Sequence, residues 1–305
     1  MRWKKFGTML LALLTVLSFF SVTASARSAA PWNYQETVET GGPIEKQYLA
    51  DGPYEVKQLD ESVLQVFQKY TVYYPKQLES DTRKYPVIVL CNGSGTPLSQ
   101  YSRVARHYAS WGFIVIGTEE NYAWNGFGAE MSLRYLELSN QSEQLHDKKN
   151  IFYQRIDFDN VGIVGHSQGG VGVFNAITDQ KHHDIYKTAV SLSPTNKALA
   201  HNLMWDYDAS KVKIPILLIS GAGGGDDWVV TGDQLREIYN DIPSKKVMVR
   251  RKNTPHGEVL YSEDGYVTAW FLWQLQGNQE AAKAFTGKSP ELASNPLYQD
   301  YQSTL

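Results

Sequence analysis

The segment that most constrains the fold is Gly165-His166-Ser167-Gln168-Gly169-Gly170, because of what stands on either side of it. It directly follows the apolar run 161–164 and precedes the helix-compatible stretch 171–177. A chain that turns sharply from a strand into a helix needs glycines, since flanking side chains would collide. The pattern therefore predicts a strand, a tight turn with Ser167 at its tip, and a helix.

Further short apolar runs recur along the chain and are bounded by turn residues. They cover residues 70–74, 87–90, 113–117, 189–192, 216–219 and 247–249. Uninterrupted apolar runs of this length are typical of strands that are covered on both faces, as in a parallel sheet. We therefore expect an α/β fold.

Two stretches between or after these runs have helical spacing. In the first, apolar residues recur from Tyr101 to Ala109, with Gly112 as a stop, which predicts a β-α-β unit. In the second, Tyr266, Ala269, Trp270 and Trp273 share one side of a helix that ends at Gly277. We expect this late helix to pack on the sheet.

The N-terminus has the features of a secretory signal: basic residues, an apolar run over 9–20 and Ala24-Ser25-Ala26. We expect residues 1–26 to be removed, which leaves a protein that is secreted, periplasmic or on the cell surface, without stable membrane insertion. Residues 27–66 are polar and contain turn signals, and are expected to form an extended lead-in with at most one edge strand. Residues 67–305 are expected to form one domain.

Charge and cysteine content limit the partners. The net charge is −3, and it falls to −6 without the first 26 residues, which hold three basic and no acidic residues. Such a chain has no obvious attraction to nucleic acid. The single cysteine, Cys91, allows no intramolecular disulfide and is expected to be a buried apolar residue. We expect no metal, no cofactor and a monomer.

The turn at Ser167 and its setting resemble the α/β-hydrolase superfamily over most of residues 67–280. This resemblance implies a mostly parallel, twisted sheet flanked by helices, without a large cap domain. It also implies that Ser167 is a nucleophile followed in the chain by an acid and then a histidine. A serine hydroxyl needs such a base, and the base needs a carboxylate to hold its tautomer.

His256 is the candidate base, because it is the histidine after Ser167 that also follows an acid at a strand end. It lies in the loop Asn253-Thr254-Pro255-His256-Gly257. Two adjacent carboxylates, Asp226 and Asp227, follow the run 216–219. Asp227 is favoured because Asp227-Trp228-Val229-Val230-Thr231 resembles the Asp-Thr-Ile-Val-Pro pattern of the superfamily, and Asp226 remains the alternative.

Backbone amides are expected to stabilise the oxyanion that forms during acyl transfer. The helix after Ser167 directs the Gln168 amide and its positive dipole end toward that point. By resemblance to the Ser-Pro-Gly-aromatic loop of cutinase-like enzymes, the second donor is the amide of Ser94 in Cys91-Asn92-Gly93-Ser94-Gly95.

That loop and the absence of a large cap also resemble one group of the superfamily. The group contains platelet-activating-factor acetylhydrolases, chlorophyllases, dienelactone hydrolases and cutinase-like polyesterases. Two departures stand against transferring a specificity: dienelactone hydrolases have Cys in place of Ser167, and cutinase-like enzymes usually have an aromatic residue in place of Thr195. Four aromatic residues either line a substrate pocket or pack the loops together: Tyr122, Trp124, Phe127 and Trp228.

The leading hypothesis is a secreted hydrolase of small-molecule or polymeric carboxylic esters that works through an acyl-Ser167 intermediate. An acyltransferase or amidase would use the same residues with another acceptor or leaving group. A non-catalytic surface-binding protein with the same fold is the alternative outside enzymes.

Overall fold

The computed structural model describes residues 30–63, 65–145 and 148–305. The expected signal peptide, residues 1–26, lies outside the described residues. Nine strands form one sheet, in the spatial order β1-β2-β4-β3-β7-β8-β9-β10-β11, and β5 and β6 form a separate two-stranded hairpin. The strands are β1 Val56–Ser62, β2 Lys69–Pro75, β3 Tyr85–Cys91, β4 Ile114–Thr118, β5 Gln144–Leu145, β6 Lys148–Lys149, β7 Ile156–His166, β8 Tyr186–Leu192, β9 Ile216–Ala222, β10 Lys246–Lys252 and β11 Tyr298–Ser303.

The sheet is parallel through its centre and antiparallel at both edges. Strands β4, β3, β7, β8, β9 and β10 run parallel, whereas β1, β2 and β11 pair antiparallel with their neighbours. All six apolar runs and the strand before Ser167 fall in this sheet, which confirms the predicted α/β fold. The crossover from β3 through a helix to β4 is the predicted β-α-β unit.

Helices cover both faces of the sheet. The α-helices are α1 Tyr34–Thr37, α2 Pro43–Leu49, α3 Ser102–Ser110, α4 Phe127–Gln141, α5 Gln168–Thr178, α6 Lys197–Asn202, α7 Gly232–Asp241, α8 Val259–Ser262, α9 Asp264–Gln276, α10 Gln279–Ala282 and α11 Glu291–Ser294. Short 3-10 helices span Gln65–Phe67, Lys76–Glu79, Leu98–Tyr101, His183–Ile185, Ala209–Lys211, Asp226–Trp228 and His256–Glu258.

Alternate residues of each central strand enter two separate cores, as the period of a strand requires. On one face, Ile88, Val164 and Leu217 pack with α1, α2, α3 and α9. On the other face, Val89 and Ile163 pack with α4, α5 and α7. The helices thus cover both apolar faces of the sheet and leave its ends open.

The lead-in differs from the expected extended segment. It contains α1 and α2 before the edge strand β1, and Tyr34, Tyr48 and Leu49 in it are buried. Helix α2 packs so closely on α9 that a Cβ on Gly265 would stand 2.4 Å from the Glu45 carbonyl oxygen. The sequence predicts that α9 buries one side. Because α2 covers a further side, the helix is buried on nearly all sides.

Helix α2 and strand β11 meet at one arginine. Arg251, near the end of β10, donates through Nη1 to Glu45 Oε1 and to the Tyr298 hydroxyl, at 2.9 Å each. Asn295 Nδ2 donates to the second Glu45 oxygen at 2.8 Å. The N-terminal helix α2 and the C-terminal strand β11 are thereby fastened beside the loop that carries His256.

Candidate active site

The candidate site residues gather at one end of the sheet. Five of them lie within four residues of the carboxyl end of a parallel strand: Ser94 after β3, Ser167 after β7, Ser193 after β8, Asp226 after β9 and His256 after β10. Neighbouring parallel strands bring their carboxyl ends to one edge, which is where ligands bind in open α/β sheets.

Ser167 occupies the predicted tight turn. Its backbone has φ 62° and ψ −120°, a left-handed conformation that costs free energy for a residue with a side chain. Close packing holds it there: a Cβ on Gly165 would stand 2.2 Å from the Gly169 carbonyl oxygen, and one on Gly169 would stand 2.1 Å from the Cys91 carbonyl oxygen. The flanking glycines are therefore a steric requirement of the turn.

The candidate base His256 has a carboxylate partner, and it is Asp226. His256 Nδ1 lies 2.6 Å from Asp226 Oδ1, and the Asp226 side chain is 0% exposed. Asp226 Oδ2 accepts from the Gly221 amide at 2.7 Å and from Ser193 Oγ at 3.0 Å. Two donors thus hold Oδ2 of this carboxylate, and Oδ1 in turn holds the histidine ring.

The expectation that Asp227 would be the carboxylate next to His256 is wrong in this structure. The Asp227 side chain is 58% exposed and forms an ion pair with Arg250. The reason lies in Gly223, Gly224 and Gly225, whose φ values of 144°, 58° and 97° direct the loop so that its first aspartate points inward. The alternative, Asp226, has the place that the chemistry requires.

The residue before Ser167 contacts His256. The ring of His166 is 4.5 Å from the ring of His256, measured between centroids. Among the described residues, no hydrogen bond joins Ser167 Oγ to the His256 ring. Catalytic hydrogen bonds of this kind are often longer before substrate binds. Ser167 is partly exposed, and His256 is 24% exposed, so both face the open end of the sheet.

The two predicted oxyanion donors are free to donate. Within the described residues, neither the Ser94 amide nor the Gln168 amide has a hydrogen-bond acceptor. The Ser94 loop is held on both sides, because the Gly93 amide donates to the Tyr101 hydroxyl at 2.7 Å and the Gly95 amide donates to the Asn121 carbonyl oxygen at 3.0 Å. A free amide on a fixed loop is the arrangement that an oxyanion hole needs.

The four aromatic residues differ in their exposure. Trp228 is 77% exposed and Tyr122 is 62% exposed, whereas Trp124 is partly buried. Phe127 packs on Phe67, with ring centroids 5.8 Å apart. Phe127 therefore takes part in packing between loops, and Trp228 and Tyr122 remain open to a substrate.

The contacts of two polar side chains in the site could not be predicted from the sequence. Ser193, with φ 42°, directs its hydroxyl to Asp226, and no motif marks it. The Gln168 amide follows from the turn motif, but the role of the side chain does not: it accepts from the Ala123 amide at 2.9 Å and ties the turn to the loop after β4. Both contacts join residues far apart in the sequence, which spacing alone does not identify.

No competing reactive centre stands out among the described residues. Cys91 is 2% exposed, and burial raises the pKa of its thiol strongly, so it is a poor competitor to Ser167. The described part of the chain holds no group of three or more His, Cys, Asp or Glu side chains placed to bind a metal ion. Within residues 30–63, 65–145 and 148–305, none of the helices has the length and apolar character that crossing a bilayer requires.

Comparison with known proteins identifies the family of this chain. The family described as PETase, PET hydrolase-like, matches residues 27–275. Bis(hydroxyethyl) terephthalate hydrolase of Streptomyces coelicolor is 25% identical over 240 residues, which are 76% of this chain and 69% of that protein. Cutinase est1 of Thermobifida alba is 27% identical over 238 residues, which are 75% of this chain and 72% of that protein. The chain therefore belongs to the PET hydrolase-like family of α/β-hydrolases, and it is a carboxylic-ester hydrolase.

Proposed function

We propose that this protein hydrolyses carboxylic esters through an acyl-Ser167 intermediate, with His256 as general base and Asp226 as the acid of the triad. The observation that carries this proposal is the contact of 2.6 Å between His256 Nδ1 and Oδ1 of the buried Asp226. A proton held on Nδ1 by that carboxylate leaves Nε2 free to accept one.

The reaction follows from these positions. As Ser167 Oγ bonds to the acyl carbon, its proton passes to His256 Nε2, and the carbonyl electron pair moves onto oxygen. The amides of Gln168 and Ser94 donate to that oxyanion. His256 then gives the proton to the leaving alcohol as the ester C–O bond breaks. A water molecule repeats the sequence on the acyl-enzyme, which releases the acid and restores Ser167.

The open end of the sheet favours bulky or polymeric esters. Residues 193–215, between β8 and β9, contain only α6 and one 3-10 turn, so that no inserted cap stands over the site from this connection. The names of the two relatives, a bis(hydroxyethyl) terephthalate hydrolase and a cutinase, point to the same class of ester. Trp228 and Tyr122 are the exposed aromatic surfaces on which an apolar or aromatic ester would rest.

The location of the enzyme matches such a substrate. The signal-like residues 1–26 support export, and a polymer that cannot enter the cell must be attacked outside it. We expect the exported form to act as a monomer. An acyltransferase or amidase would use the same triad. An acyltransferase would be recognised by a product that appears only when an alcohol or amine acceptor is supplied, and an amidase by cleavage of an amide substrate.

A fluorophosphonate probe tests the proposal directly, because it reacts with serine nucleophiles that a triad activates. The mature wild-type protein should be labelled and should hydrolyse p-nitrophenyl esters, and Ser167→Ala should lose both properties. Ser80→Ala is the matched control, since it removes an exposed serine hydroxyl outside the site and should still be labelled. Folded wild-type protein that is not labelled would refute the mechanism.

A further inference from the structure

His166 connects the two catalytic loops. It directly precedes Ser167 at the end of β7, and its Nε2 lies 2.8 Å from the backbone carbonyl oxygen of His256. The side chain is buried, and its ring lies 4.5 Å from the His256 ring with an angle of 35° between the planes. One side chain thus contacts both the main chain and the ring of the base.

This contact determines which ring nitrogen of His166 carries the hydrogen. A carbonyl oxygen can only accept, so Nε2 must carry the hydrogen. Burial lowers the pKa of His166 well below its usual range, and the nearby His256 lowers it further, although the carbonyl contact raises it. The ring is therefore neutral, with its hydrogen on Nε2, even when His256 takes the serine proton.

We propose that His166 is a positioning residue, which holds the main chain of His256 against the nucleophile turn through its Nε2–H donor. This inference rests on the proposed triad. In this role His166 acts through His256 and takes no part in the bond changes.

The position of His256 shows why a second attachment matters. Its loop contains Asn253 with φ 56° and no long helix or strand until α9 begins at Asp264. Asp226 fixes one atom of the ring, and a ring held at one atom can still tilt about that contact. The bond from His166 fixes the backbone of the same residue. One attachment holds the ring and the other holds the backbone, and together they set the direction of Nε2. This direction matters because small misplacements of catalytic groups lower rates strongly.

Two substitutions distinguish the contribution of the N–H donor from that of the aromatic ring. His166→Phe keeps an aromatic ring of similar size and removes the N–H, whereas His166→Gln keeps an N–H donor and removes the ring. We expect Phe to lower kcat by about ten-fold or more, with KM changed by less than about two-fold. Labelling by a fluorophosphonate should slow by a similar factor. His166→Gln should retain most of the wild-type kcat and most of the wild-type labelling rate.

The outcomes distinguish this inference from the proposed function. If the wild type is labelled and His166→Phe reacts at the same rate, the inference is wrong and the triad stands. If Phe and Gln are slowed equally, the donor is not the cause and the inference also fails. If the wild type is not labelled at all, the triad itself is wrong.

A measurement on the unaltered protein covers the case in which a variant does not fold. Nitrogen-15 NMR of the histidine rings reports tautomer and protonation, with His166 assigned by comparison with His166→Gln or by through-bond transfer. From about pH 5 to about pH 9, His166 should remain neutral with its hydrogen on Nε2. A ring that carries its hydrogen on Nδ1, or that becomes charged within this range, would overturn the inference.

Discussion

The neighbouring aspartates offer a matched pair of substitutions, Asp226→Asn and Asp227→Asn. In the first, the asparagine oxygen must face the Gly221 amide and the Ser193 hydroxyl, because the amide is a fixed donor 2.7 Å from Oδ2. The asparagine NH2 group then points at His256 Nδ1 and can only donate to it. The ring hydrogen is forced onto Nε2, which can no longer accept the serine proton.

The magnitude follows from losing the base while the rest of the site remains. In other Ser-His-Asp enzymes the wrong tautomer costs roughly 10³ to 10⁴ in kcat, which corresponds to about 4 to 5.5 kcal/mol of transition-state stabilisation. Asp227→Asn should change kcat less than about three-fold. It removes a partly exposed ion pair worth at most about 1 kcal/mol, and Arg250 keeps its bond of 3.0 Å to the Gly221 carbonyl oxygen.

The assay is kcat and KM on a soluble p-nitrophenyl ester, with the concentration of folded enzyme checked by circular dichroism and thermal unfolding. Both variants are isosteric with the wild type, so both should fold. A large loss in Asp227→Asn together with a small one in Asp226→Asn would refute the assignment of the acid. Equal losses in both would show that the two carboxylates act as one charged unit and not through the tautomer of His256.

Two further predictions concern the loops around the serine. Ser94→Pro removes the backbone donor and should lower kcat by roughly 10² to 10³ with little change in KM, whereas Ser94→Ala keeps the amide and should stay near the wild type; equal rates in steady-state assays would exclude this oxyanion donor. Burial raises the pKa of Glu120 from 4.5 to about 7, so the folded protein binds a proton more tightly than the unfolded chain does. Stability from this group is complete below about pH 4.5 and is lost as the pH rises through about 7. Glu120→Gln should therefore raise the free energy of unfolding at about pH 8 by roughly 2 to 3 kcal/mol, with no gain at about pH 4 in urea unfolding; a gain that does not depend on pH would contradict burial of the charged carboxylate as its cause.

The central sheet could be predicted from the sequence because its strands are buried on both faces. Runs such as 87–90 and 161–164 are continuously apolar for that reason, and the turn at Ser167 follows from its glycines. The edges carry no such signal. Strand β11, Tyr-Gln-Asp-Tyr-Gln-Ser, is mostly polar, and α1 and α2 have four and seven residues, too few for a helical period to show.

The loops of the candidate site could be predicted, but the carboxylate beside His256 was missed by one residue. The expected order of nucleophile, acid and base led to loops that the structure brings together, whereas the choice between Asp226 and Asp227 depended on backbone conformation. Three glycines in succession, at 223–225, permit many conformations, so the residue pattern alone does not determine which carboxylate turns inward. His166 and Ser193 act through contacts between distant parts of the chain, which local patterns do not contain.

The junction at Arg251 makes the support of the His256 loop depend on two remote parts of the chain. Glu45 is separated from Arg251 by 206 positions and Tyr298 by 47, and the guanidinium binds both. Losing one partner leaves a buried charge without full compensation, which is costly. A proteolytic cut that releases either part should therefore loosen the loop that carries His256.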